Sequence, residues 1–208
     1  MLQMSQDMSV TQASDISEIA MPRQSATPLP PPGSGLNLKR IAIGRGTQNY
    51  TCDPMNTTAV PAAVGAKATL FDATRFAVAC PQLLDSLSGV ALGFLRADEI
   101  PTSPAVLGLH IFLDRETPFF ALETPFTHLG KVLCAGDSST PAPKDAPKGF
   151  NGEPAVAWLK LRAKNGTTGN IREVYRLQTA GGSALETRKG MSATFERQYA
   201  AQYWFYGL

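Results

Sequence analysis

Two β-rich runs on either side of an Asn-Gly turn signal constrain this chain more than any other feature: AVAWLKLRA at 155–163 and IREVYRLQTAGG at 171–182 flank NGTTGN at 165–170. Apolar and polar residues alternate in both runs, and the glycine after Asn supplies the left-handed backbone that a tight reversal needs. The pattern predicts a hairpin, and with it an antiparallel sheet.

The rest of the sequence repeats that rhythm. LKRIAIGRG from 38 and AKATLFDAT at 66–74 each read as a strand of period two, and VLGLHIFLD, PFFALET and HLGKVLCAG follow as short blocks separated by turn residues. The closing ATFERQYAAQYWFYGL reads as a strand pair or one long strand ending in aromatics. CPQLLDSLSGVALGF at 80–94 departs from this, with Leu83, Leu84, Leu87 and Val90 at helical spacing behind a first-turn proline, and predicts one short helix. Residues 136–154 are polar and proline-rich and predict a long surface loop or lid. Residues 1–36, ending in TPLPPPGSG, read as a flexible Pro/Ser-rich N-terminal tail. The expectation is an all-β chain: a tail over 1–36, then a single domain over 37–208 folded as a barrel-like β-sandwich of short antiparallel strands with one short helix.

Composition narrows the function classes. Only 17% of residues are charged, with 19 basic and 17 acidic side chains interspersed for a net charge of +2, which leaves no electrostatic footprint for nucleic acid or an anionic membrane. No window approaches the ~18 consecutive apolar residues of a spanning helix, so no membrane insertion is expected. The N-terminal segment is interrupted by polar and acidic residues and is no secretory leader. Three N-x-[ST] sequons at Asn49, Asn56 and Asn165 nevertheless point to glycosylation and a secretory or extracellular location, with a leader absent from this chain. Cys52, Cys80 and Cys134 permit one disulfide. Cys52 and Cys80 flank the second strand and are the expected pair, with Cys134 as the other partner open to Cys52. Neither histidine, His110 or His128, has a second one at ligand spacing, and no metal site is expected.

Candidate chemistry lies in a few places. Gly44-Arg45-Gly46 lacks the third glycine and the βαβ context of a dinucleotide loop, so no nicotinamide cofactor is expected. No GxSxG elbow surrounds Ser139 or Thr140. Arg45, Gln48, Asn49 and Tyr50 present four kinds of polar group in six residues, either to orient a small oxygenated ligand or to tie down a turn. His110, inside the apolar run Leu107 to Leu113, is either a satisfied core imidazole or the one neutral acid–base group of an apolar cavity. Trp158, Tyr199, Tyr203, Trp204, Phe205 and Tyr206 are either core packing or the wall of a pocket.

The blocks GRGTQNYTC at 44–52, ATLFD at 68–72, LKLRAKNG at 159–166, EVYRLQTAGG at 173–182 and YAAQYWFYG at 199–207 resemble a fungal and bacterial family of mostly secreted proteins, often labelled "malate dehydrogenase" or left as a domain of unknown function. The resemblance covers about residues 38–208. The dehydrogenase label conflicts with the missing phosphate-binding turn. Where the family pattern has cysteines, this chain has Thr74-Arg75 and Thr187-Arg188, which implies either exposed arginines or a site for an acidic ligand.

That family includes hetero-Diels–Alderases that join a tropolone-derived o-quinone methide to humulene-type sesquiterpenes. The resemblance therefore implies a cofactor-independent pericyclase whose small-molecule substrates are a tropolone and a sesquiterpene. Such a reaction needs two reactants held in one near-attack geometry and a few hydrogen bonds to the oxygenated diene, with no nucleophile. On this reading His110, Gln48, Tyr50 and Arg45 handle the tropolone oxygens, and Phe112, Phe119, Trp158 and Trp204 shape the terpene side. The alternative class is a secreted, non-enzymatic protein that holds an apolar ligand or glycan in the same barrel.

Overall fold

The computed structural model describes residues 15–22, 27–53, 55–56, 58–94, 103–184, 186 and 192–208. Eight antiparallel strands close into one barrel in sequence order: β1 (Asn37–Thr51), β2 (Ala62–Asp72), β3 (Val106–Phe112), β4 (Pro118–Thr124), β5 (Thr127–Thr140), β6 (Trp158–Ala163), β7 (Ile171–Gly181) and β8 (Thr194–Gly207). β8 closes the ring by pairing along the whole of β1, from Asn37 opposite Gly207 to Thr51 opposite Thr194. The hairpin at 158–181 forms as its sequence requires, and the C-terminal run is one long strand. Closure removes every sheet edge, so the expected barrel-like sandwich is a true barrel.

The helix expected over 80–94 is two: α2 (Pro81–Leu84) and α3 (Leu87–Phe94), broken at Asp85 and Ser86. A further helix, α1 (Thr74–Ala79), precedes them where the sequence offered no helical period. Tertiary anchoring accounts for it, because the buried hydroxyl of Thr74 accepts from Ile41 N at 3.1 Å and fixes the start of the turn onto β1. Among the described residues no helix is long and apolar enough to cross a membrane.

Strand alternation divides the buried residues into two cores. Inside the barrel pack Ala42, Leu70, Phe120, Leu122, Val132, Cys134, Val174, Tyr199, Tyr203 and Phe205, drawn from strands all round the ring. Outside, against one wall, Ile41, Ile43, Trp158, Tyr175, Leu177, Ala200 and Trp204 lie under Ala77, Leu84, Ala91 and Leu92 of the helices and under Leu29. Fully burying aromatic side chains of this size contributes about 1.5–3 kcal/mol each.

The proline-rich stretch expected as tail lies packed on that outer wall from residue 27. Leu29 is buried, Pro30 O accepts from Tyr175 Oη at 2.8 Å, and Pro31 O accepts from Lys160 Nζ at 2.8 Å. Proline carbonyls are free to accept because no strand partner competes for them, and here the barrel supplies the donors. The start of the folded unit therefore precedes residue 37.

All three cysteines are free thiols. Cys52 follows the end of β1, whereas Cys80 follows the far end of the antiparallel β2, and Cys134 points into the barrel core. An 11-residue strand spans roughly 36 Å at ~3.3 Å per residue, far beyond disulfide reach, so the expected Cys52–Cys80 pair does not form.

Candidate functional site

The barrel has one elaborated end, the mouth, where β1, β3, β5 and β7 finish. There β7 departs from regular geometry: Gln178 takes φ 45°, the pairing with β8 slips between Leu177 and Ala180, and Gly181 and Gly182 follow with φ 59° and 94°. Left-handed backbone at a non-glycine residue costs of order 1–3 kcal/mol and marks a bulge that bends the strand. The bend carries β7 beneath the 141–157 loop. Gly181 N donates to Pro147 O at 2.9 Å, Val156 N to Gly181 O at 3.0 Å, and Ser183 N to Pro154 O at 3.0 Å. Of the loop expected over 136–154, residues 136–140 instead continue β5 in pairing with β6, and the remainder is a strap fixed across the mouth that runs on to 157, its Val156 joining the inner core.

Below the strap the lumen is polar. Tyr199 and Tyr203 point inward from β8, and their hydroxyls are 2.8 Å apart. On β1, Gly44 lies opposite Ala201 and diagonal to Tyr203, where any Cβ would enter the Tyr203 ring; the glycine lets the ring lie against the strand. His110, 3% exposed, stacks on Phe120 with centroids 4.3 Å apart and is tilted against Tyr203 at 5.5 Å and Phe112 at 5.6 Å. His110 Nδ1 lies 3.0 Å from Phe119 O. A carbonyl only accepts, so the proton sits on Nδ1 and Nε2 keeps its lone pair. Burial, aided by the field of Arg176, pushes the imidazole down to about 4 and keeps it neutral near pH 7. Burial raises both tyrosines, Tyr199 well above the usual phenol range, so both remain protonated donors.

Arg176 of β7 is buried on the same inward face, opposite Tyr203. Its Nε and Nη2 donate to Ala157 O in the strap at 3.2 and 2.9 Å. Gln48 of β1, 6% exposed, faces inward opposite Ala66 and Arg197, and its amide nitrogen has no hydrogen-bond partner. Tyr50 stacks on Phe195 at 5.4 Å and donates to Gly182 O at 2.8 Å. Arg197 pairs with Glu153 of the strap at 3.5 Å. The lumen thus offers protonated phenols, an amide and a guanidinium as donors, and the His110 nitrogen as acceptor.

The residues expected at the site divide by strand face. Gln48, Tyr50 and His110 all lie on the inward side of their strands, and Phe112 is partly buried against the inner core. Arg45, Phe119, Trp158 and Trp204 do not. Arg45 is opposite Ala200 on the outer wall, where it donates to Gly46 O and Gln198 Oε1. Phe119 alternates outward beside inward Phe120, and both tryptophans belong to the outer core. These four corrections have one cause: neighbours along a strand face opposite sides. Sequence reasoning missed Arg176 as a site residue and treated Tyr199 and Tyr203 only as aromatics. The spacing of Tyr199, Ala201 and Tyr203 on one face, across from Gly44 and Gly46, carries that signal once the register is known.

Arg75 is exposed on α1, so of the two readings of the cysteine replacements exposure holds there; Thr187 and Arg188 lie outside the described residues. Asn56 and Asn165 are exposed, and Asn49 is half-buried in β1 with its Oδ1 accepting from Thr47. No three metal-binding side chains converge among the described residues. A groove of about 650 Å³ on the outside, between residues 15–22 and α1 and α2, is edged by Asp15, Glu18 and Asp85 and shares no residue with the lumen.

Fold and lumen together define a class: a closed eight-stranded antiparallel barrel with an apolar base and a polar, strapped mouth. The chain belongs to the family described as "Protein of unknown function (DUF3455)", whose model matches residues 32–207. No curated protein and no solved structure matches it.

Proposed function

We propose that this protein is a cofactor-independent pericyclase, a hetero-Diels–Alderase that joins a tropolone o-quinone methide to a humulene-type sesquiterpene in fungal natural-product biosynthesis. The sequence blocks at 44–52, 68–72, 159–166, 173–182 and 199–207 support the reading through their resemblance to such enzymes. The observation that carries it is the buried, unpartnered amide nitrogen of Gln48, set in the same lumen as the Tyr199–Tyr203 hydroxyl pair and neutral His110. An unmade hydrogen bond at a buried amide costs about 1–3 kcal/mol, a cost that an oxygenated ligand would remove.

In this mechanism Gln48 and the tyrosine pair hold the tropolone oxygens, and His110 Nε2 accepts the proton of the ring hydroxyl. The ring-oxygen electron pair then expels the side-chain hydroxyl, which takes a proton through Tyr199 and Tyr203 and leaves as water, and the proton held by His110 restores the tyrosine pair. The o-quinone methide then adds across a terpene double bond, forming one C–C and one C–O bond without redox change. The inner aromatics Phe112, Phe120 and Tyr203 supply the shape that aligns the partners, in place of the outward Phe119, Trp158 and Trp204. The "malate dehydrogenase" label is rejected in this reading. A secretory or extracellular location is proposed with it, on the exposed acceptor residues Asn56 and Asn165.

The test is to incubate a hydroxymethyl tropolone precursor and humulene with and without protein, scoring adduct yield and stereochemistry by chiral chromatography. Accelerated formation of one stereoisomer supports the pericyclase. Yield and stereochemistry equal to the spontaneous background, with saturable binding of either reactant, would instead establish the non-enzymatic binding protein.

A further inference from the structure

Arg176 is a guanidinium inside a β-barrel, buried to 9% exposure, and no carboxylate pairs with it among the described residues. It is held by a backbone carbonyl in the strap and lies against the Tyr203 hydroxyl, and its field reaches His110, Tyr50 and Tyr199. Every other group facing it in the lumen is neutral, while the nearby Arg197 is already neutralised by Glu153. Removing a cation from water without a counter-charge costs several kcal/mol. The outer wall shows the ordinary solution: Lys160, 4% exposed, is enclosed by Glu173 at 3.2 Å and Asp137 at 4.0 Å.

Arg45 is the other deeply buried guanidinium without a carboxylate, but its Nη1 has three oxygen acceptors, on Gly46, Gln198 and Tyr199. Arg176 differs in standing among groups with open valences: the free Gln48 nitrogen, a phenol pair that retains one unshared hydrogen, and the bare His110 Nε2.

We propose that the lumen takes its ligand as a planar organic monoanion whose charge is shared by two oxygens, a carboxylate or an enolised α-diketone, with Arg176 as its counter-charge. The two oxygens match the paired N–H groups of a guanidinium, and the Gln48 amide and a tyrosine hydroxyl complete their coordination. Ala157 O is released from Arg176 as the anion arrives, which couples binding to movement of the strap. The inference rests on the lumen being the working site, and it does not require the cycloaddition.

The test uses the full chain and a matched probe pair, benzoate and its neutral isostere benzamide, titrated calorimetrically at pH 8. Benzoate is expected to bind at least about tenfold more tightly than benzamide, as a charge-assisted pair contributes ~1.4 kcal/mol or more beyond a neutral one. Arg176→Gln is expected to abolish that preference, Gln48→Leu to weaken both probes, and Arg172→Gln, on the outside of β7, to leave the preference intact. Equal affinity for the two probes in the native protein, or no binding of benzoate at millimolar concentration, overturns the proposal without depending on whether any variant folds. Anion binding without adduct formation retains this inference and removes the pericyclase; adduct formation without anion preference does the reverse.

Discussion

The two faces of the wall formed by β1, β6, β7 and β8 bury their polar groups differently. On the outer face Gln202 is satisfied at both ends, its nitrogen donating to Leu84 O at 2.7 Å and its oxygen accepting from Trp204 Nε1 at 2.9 Å. Lys160 there has two carboxylates and a carbonyl. The exceptions on that side, Trp158 Nε1, one nitrogen of Arg45, and the hydroxyls of Ser88 in α3 and Ser138 in β5, lie on four separate elements. On the inner face the unpartnered Gln48 nitrogen shares one lumen with Arg176, His110 and the tyrosine pair, each of which has a hydrogen-bond partner. A satisfied polar network specifies a fold, whereas a buried amide left unpartnered among polar neighbours gains from a ligand. The comparison assigns stability to the outer face and function to the inner one.

The largest effect expected is on the outer face. Trp204→Ala removes a fully buried indole and leaves Gln202 half-satisfied, and should cost about 3–5 kcal/mol in a urea melt. Lys160→Met should cost roughly 3 kcal/mol by leaving Glu173 and Asp137 buried without their cation. It should also expose residues 27–36 to protease, because Pro31 loses its donor. If either protein melts like the native one, the outer face is not the source of stability.

The inner face should reveal itself through pH. His110 titrates near 4 when folded against 6.5 when unfolded, so the unfolded chain binds the extra proton first. Stability should be full above pH 6.5 and fall by roughly 3 kcal/mol as the pH drops from 6.5 toward 4. His110→Gln should flatten that part of the profile, and an unchanged slope would mean that the imidazole is not held neutral in the lumen. Gly44→Ala should cost about 1–3 kcal/mol by forcing the Tyr203 ring aside, with altered near-ultraviolet circular dichroism as the marker. The smallest stability effect belongs to Gln48→Leu, within ~1 kcal/mol of native, since it replaces an unpartnered amide with an apolar group of similar size.

How far these assignments were legible in the sequence differs between backbone and side chains. The hairpin at 158–181, the long C-terminal strand and the all-β class follow from period-two alternation and an Asn-Gly turn, which are local signals. Helix α1 was hidden because its cause, the Thr74 hydroxyl against the Ile41 backbone, joins residues 33 apart. Packing of Leu29 under the helices was hidden for the same reason. Within the site, His110 was found as a polar residue in an apolar run, and Gln48 and Tyr50 as members of a polar cluster at 45–50. Arg45 and Trp204 were misassigned because local sequence does not fix which face of a closed barrel a strand turns inward. Arg176 escaped because an arginine between Tyr175 and Leu177 reads as an exposed position until the register with Tyr203 is known.

One measurement tests the division of labour directly: adduct formation by the native protein and by the Gln48→Leu, Tyr203→Phe double variant, compared at equal folded fraction. The account predicts that the variant melts within ~2 kcal/mol of native, the sum of two small hydrogen-bond changes, while its adduct yield and stereochemistry fall to the spontaneous background. A variant that keeps native yield and stereochemistry would contradict the assignment of function to the inner face.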